Sequence, residues 1–145
     1  MKRGFLIFIF CFSALQFLQT GKENPEEKNP LQASPEVISV LKKSCYDCHS
    51  NRTEWPLYSY IFPVSYFVKH HVDEGRDELN FSHWENLSPK KKATAAYSII
   101  EEIEEGEMPL TSYTLIHRNA VLSEKEVELL KEWALQLEEE SEKEN

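Results

Sequence analysis

Glycine is scarce in this chain: Gly4, Gly21, Gly75 and Gly106 are the only four in 145 residues. So few turn-formers argue against a many-stranded sandwich or barrel. No stretch alternates apolar and polar residues convincingly, so strands find no support there either. Basic residues are outnumbered, 16 Lys and Arg against 25 Asp and Glu, for a formal net charge of -9. Phosphate binding needs clustered cations, so no nucleic acid is expected as a main partner. Three cysteines are too few for a disulfide scaffold, and their placement carries more than their number. Nucleophile motifs, triad patterns and internal repeats are all missing. What is there, 41% hydrophobic and 28% charged residues, fills one core in one domain.

The one long apolar run is at the start. Lys2 and Arg3 precede Gly4 to Leu18, which only Ser13 and Gln16 interrupt, and the first acid is Glu23. A positive end followed by about 15 apolar residues is the layout of an export signal or short membrane anchor. It falls short of the roughly 20 residues of a full span. Residues 1–21 are therefore read as a signal peptide or membrane anchor. The rest then lies in the periplasm or on the extracytoplasmic face of the cytoplasmic membrane, associated with it through the N-terminus. No A-x-A site closes the segment, so cleavage and retention both stand. Setting Lys2 and Arg3 aside leaves 14 bases against 25 acids. Residues 22–33, polar with Pro25 and Pro30, read as an extended linker.

Residues 34–138 read as an all-α domain. Ser34-Pro35-Glu36 is a helix start, with a capping serine, a first-turn proline and an early acid. Val37, Ile38, Leu41 and Cys45 follow on one face. Val64, Phe67, Val68, His71 and Val72 predict a second helix. Ser88-Pro89 starts a third, with a stripe of Ala93, Ala96, Tyr97, Ile100 and Ile103 and a stop at Gly106. Ser123 with Glu126 forms a capping box for a fourth, whose face is Val127, Leu130, Ala134 and Leu137. Residues 139–145 read as an acidic, frayed tail.

The chemical signal is Cys45-Tyr46-Asp47-Cys48-His49. C-x-x-C-H is the attachment pattern of a c-type haem. Two thiols three positions apart each add to a vinyl group along one porphyrin edge, and the adjacent imidazole reaches the iron. Rival readings have less support. A thioredoxin-like C-x-x-C expects a preceding strand, and a helix precedes this one. A zinc site needs a fourth ligand, and there is no second C-x-x-C. A Cys45–Cys48 disulfide closes a small strained ring.

Met108, in Gly106-Glu107-Met108-Pro109, is the candidate second iron ligand, 59 residues beyond His49. A thioether raises the potential and suits electron transfer; a gap-filling methionine in the core is the competing role. His71 is the alternative sixth ligand, the best placed of His70, His71, His83 and His117. Trp55, Tyr58, Tyr60, Phe62, Tyr66 and Phe67 are candidates to wall a flat apolar cofactor, or for an ordinary core. Arg52, Lys69 and Arg76 are candidate partners of its propionates, or solvated surface.

Beyond the pentapeptide, the chain from Pro35 to Trp133 resembles the small haem-binding-domain family of exported bacterial proteins, related in outline to monohaem cytochromes c. The resemblance is carried by Ser44 to Asn51, Trp55-Pro56, Tyr58-Ser59, Pro63-Val64-Ser65, His71-Val72, Gly75-Arg76, Leu79 to Ser82 with Trp84, Gly106 to Pro109, and Leu122-Ser123 with Trp133. Tyr58 stands where this family would have a second Trp. The resemblance implies one covalent haem c and its iron, with Cys45 and Cys48 as thioether sites and His49 as proximal ligand. By analogy with class I cytochromes c, Met108 maps to the distal side, and helices over 35–45 and 124–138 cross.

The expected function is that of a monohaem c-type cytochrome for extracytoplasmic electron transfer, a carrier rather than an enzyme. Its redox partner protein would present a basic docking patch to this acidic chain. The alternative is a haem-based sensor or peroxidase-like enzyme with a displaceable sixth ligand.

Overall fold

The computed structural model describes residues 2–17 and 21–143, and every regular element among them is helical. The α-helices are α1 (Lys2–Leu15), α2 (Pro35–Ser44), α3 (Tyr46–His49), α4 (Val64–Glu78), α5 (Pro89–Glu104), α6 (Thr111–Thr114) and α7 (Glu124–Lys143). Short 3₁₀ turns lie at Leu57–Tyr60, Phe81–Asn86 and Arg118–Ala120.

The helix ends follow the sequence signals. The Ser34 hydroxyl accepts the Val37 N–H at 3.3 Å, and Ser88 accepts that of Lys91 at 3.4 Å, each with proline at the helix start. Gly106 ends α5 at φ +77. Its N–H reaches the Ile103 carbonyl and that of Glu107 reaches Glu102, the paired bonds of a Schellman ending. In the capping box, the Ser123 N–H donates to Glu126 Oε2 at 2.8 Å while Ser123 Oγ accepts from the Glu126 N–H.

The core gathers Leu31, Val40, Leu41, Ala96 and Leu130 around an aromatic ladder. Tyr46 stacks on Phe81 at 5.2 Å between centroids, Phe81 meets Trp84 at 5.8 Å, and Trp84 meets Trp133 at 5.5 Å. α5 and α7 form the most extensive helix pair, and α2 packs on α7. The ladder runs from the C-x-x-C-H segment into α7, so the motif is rooted in the centre of the domain.

Several expectations need correction. Tyr97, assigned to the buried stripe of α5, is exposed; the packed face runs through Ala95, Ala96, Ile99, Ile100 and Ile103. The acidic tail from residue 139 continues α7 as helix to Lys143, consistent with the good helix propensity of Glu and Lys. The 22–33 stretch forms no regular element and is bound along the domain. Leu31 is buried in the core and its N–H meets the Phe81 carbonyl at 2.8 Å; the Lys28 N–H meets that of Ser82. α1 buries none of its residues, and its next turn touches the body where the Phe62 N–H donates to Gln16 Oε1 at 2.9 Å. No described helix is long and apolar enough to cross a membrane.

Candidate functional site

Cys45 closes α2, its N–H bonded to the Leu41 carbonyl at 2.8 Å, and at once opens α3. Its carbonyl accepts the N–H groups of Cys48 at 3.2 Å and His49 at 2.9 Å. One helical turn therefore brings positions i, i+3 and i+4 to a common face, and these are Cys45, Cys48 and His49. The turn ends at Ser50, whose Oγ donates to the Tyr46 carbonyl at 2.7 Å and accepts the Arg52 N–H at 3.0 Å.

Neither thiol of the pair is in a disulfide. Burial, reinforced by the neighbouring Cys48, pushes the Cys45 thiol up to about 12. Burial, then the Asp47 charge, pushes Cys48 up to about 11. Both are therefore protonated and weakly nucleophilic at neutral pH once the chain has folded.

His49 is fixed from the α4 side. Its Nδ1 lies 2.8 Å from the Gly75 carbonyl oxygen and 3.2 Å from that of Leu79. Carbonyls only accept, so Nδ1 carries the hydrogen and Nε2 keeps its lone pair. Nε2 makes no hydrogen bond to any described residue. Burial lowers the pKa of this ring below its ordinary value, against the opposing pull of the two carbonyls. A neutral imidazole in one tautomer, aimed by its other nitrogen, is the form that binds a metal.

The approach of α4 to the motif depends on Gly75. A Cβ there would meet the Cys48 carbonyl oxygen at 2.8 Å and the Cys48 Cβ at 3.1 Å. Sequence reasoning quoted Gly75 without this role; an isolated glycine inside a helical run is the signal for such close packing.

The middle of the motif is also tied down. Asp47 Oδ1 accepts the Glu54 N–H at 2.9 Å, and Asp47 Oδ2 accepts the Tyr113 hydroxyl at 2.6 Å. Tyr113 stacks on His117 at 4.3 Å between centroids, and the Tyr58 hydroxyl meets His117 Nε2 at 2.7 Å. Burial and the Asp47 bond raise the Tyr113 phenol well above the ordinary tyrosine range. Nothing in the sequence announced these four residues as a unit, because they come from three separated segments. Asp47, Tyr113 and His117 border a cavity of about 790 Å³, which Tyr46 also lines but neither cysteine nor His49 does.

Met108 lies just past the Schellman turn, half-buried, its N–H on the Glu102 carbonyl at 3.1 Å. It stands five residues before Tyr113 in the sequence, and its backbone bond is to the end of α5 rather than to the motif. His71 lies on the exposed side of α4, its Nδ1 3.8 Å from Glu74 Oε2. The buried side carries Ser65 and Val72, so the run from Val64 to Val72 is split between two faces. The cationic side chains already have protein partners. Arg52 pairs with Glu27 and Lys69 with Asp73. Arg76 donates to the Ser50 and Glu23 carbonyls, Asn24 Oδ1 and Thr53 Oγ1, at 2.8–2.9 Å. All three side chains are thus held by protein groups in this structure. Of the six aromatics proposed as a wall, Tyr60, Tyr66 and Phe67 are exposed, and the core takes Tyr46, Phe81, Trp84 and Trp133 instead.

No curated protein and no solved structure matches the chain. The family described as Haem-binding domain matches residues 10–136. The chain belongs to that family. The donor set fits such a group: two unbridged thiols and an imidazole with a free Nε2, all on one turn.

Proposed function

We propose that this member of the haem-binding-domain family is a monohaem c-type cytochrome that carries electrons outside the cytoplasm. Cys45 and Cys48 are its thioether sites, His49 Nε2 the proximal ligand and Met108 the distal one. The bound haem supplies a one-electron ferrous–ferric couple. The chain's own residues supply position and environment. The Gly75 and Leu79 carbonyls hold the His49 ring, Phe81 meets that ring edge-on at 6.5 Å, and the ladder beneath Tyr46 resists displacement of the turn. The acidic surface favours a redox partner with a basic docking patch, at rates that fall as salt rises. The N-terminal run serves as export signal or anchor on the extracytoplasmic side of the cytoplasmic membrane.

The observation that carries this reading is the Nδ1 clamp on His49, 2.8 Å from Gly75 O, which leaves Nε2 free. Support for Met108 comes from the Tyr113–Asp47 bond, which ties a residue five positions past Met108 to the motif. The test is expression with a haem-attachment system. Red protein is expected whose haem survives denaturation and whose ferric form shows the sulfur-to-iron band. Cys45→Ser with Cys48→Ser should abolish the covalent link, and Met108→Ala the band. Colourless exported protein overturns the reading.

A further inference from the structure

Tyr113 has no counterpart in the ligand set, yet it is among the most constrained side chains outside the core. Its hydroxyl donates at 2.6 Å to Asp47, which lies between the two motif cysteines, across 66 residues of sequence. The acceptor is itself oriented: Asp47 Oδ1 holds the Glu54 N–H, and the Asp47 carbonyl takes the Thr53 hydroxyl at 2.7 Å. The ring is held as well, against His117 at an interplanar angle of 14°, and Tyr58 fixes His117 from the opposite segment. A charge-assisted O–H to carboxylate bond, partly shielded from water, is among the stronger hydrogen bonds a protein makes. Only five residues separate Tyr113 from Met108, and α6 with the Leu110 carbonyl, which accepts the Tyr113 N–H at 3.0 Å, stiffens that stretch.

We infer that Tyr113 and Asp47 form a clasp that positions the Met108 loop against the haem-attachment turn, so that Tyr113 sets how readily the distal ligand leaves. Tyr113 is a positioning residue: it acts through Met108 and touches no reacting atom. The inference rests on Met108 being the distal ligand. It assigns to the interior of the C-x-x-C-H segment a second task, gripping the opposite loop through its third residue.

The experiment measures binding of imidazole to the ferric holoprotein, which requires Met108 to vacate its position. Tyr113→Phe and Asp47→Asn should each speed imidazole binding about tenfold, equivalent to about 1.4 kcal/mol, with haem content unchanged. The double variant should be no faster than Tyr113→Phe alone, because Asp47→Asn only takes the charge from the bond that Tyr113→Phe deletes. Should Tyr113→Phe fail to fold, Asp47→Asn alone carries the test. Parental rates in the variants, or effects that simply multiply in the double variant, overturn the clasp while leaving the ligand assignment intact. A parent that lacks the sulfur-to-iron band and binds imidazole no more slowly than Met108→Ala overturns the ligand assignment, and the clasp with it.

Discussion

Gly75 stands on both sides of the His49 contact: its carbonyl oxygen is 2.8 Å from His49 Nδ1, and its missing side chain is the space that the Cys48 backbone occupies. The two facts are linked. Only a residue without Cβ lets α4 come close enough to offer that carbonyl to the imidazole. The position therefore serves ligand orientation as well as packing.

Gly75→Ala should destabilise the protein. In an unobstructed helix interior the change would gain up to about 1 kcal/mol. Here the added carbon meets backbone at 2.8 Å, which cannot rotate away, and overpacking of that kind costs about 1–3 kcal/mol. A lower denaturant midpoint is expected. A raised midpoint would show that α4 is not held against the motif.

Leu31→Ala tests whether the stretch before α2 is part of the fold. A freely solvated residue would lose nothing, whereas truncating a buried leucine costs about 2–5 kcal/mol. The chemical unfolding midpoint should drop accordingly, and Phe81, whose carbonyl accepts the Leu31 N–H, should lose amide protection in its neighbourhood.

Arg76→Lys should fail to replace the native side chain. A guanidinium fork reaches four acceptors in three directions, and an ammonium cannot reproduce that geometry. A loss of about 1–3 kcal/mol is expected, with faster hydrogen exchange in residues 50–53.

Glu126 makes stability depend on acid. The Lys43 ammonium at 2.5 Å, with the Ser123 N–H, lowers its carboxyl from 4.5 to about 2. A carboxyl depressed in the folded state contributes fully above its ordinary value and loses that contribution as pH falls toward 2. Glu126→Gln should therefore cost about 1 kcal/mol at neutral pH and almost nothing near pH 2. A difference that stays constant across that window would contradict the assignment.

The helix starts at Ser34, Ser88 and Ser123 and the stop at Gly106 were legible because each is a local hydrogen-bonding problem solved within four residues. The grouping of Cys45, Cys48 and His49 was legible for the same reason, since one turn of helix suffices. The face that α4 buries was not. Val64, Phe67 and Val68 are apolar, but α4 makes its closest approach at Gly75, against the Cys48 backbone, and buries Ser65 and Val72 instead. The polar character of residues 22–33 concealed their docking, because most of their attachment is through backbone groups, which sequence polarity does not reveal. The Tyr113–Asp47 bond spans too much chain for any local pattern to expose it.

Stitched down at Glu23, Asn24, Glu26, Lys28 and Leu31, the segment ahead of α2 has no slack to give. A pull applied at Gly21 would pass straight into the body through Glu23 and Asn24, as through a bracket, where a leash would let it swing. The Cys45–His49 turn, joined to the same stretch through Arg76, shares that fixed heading.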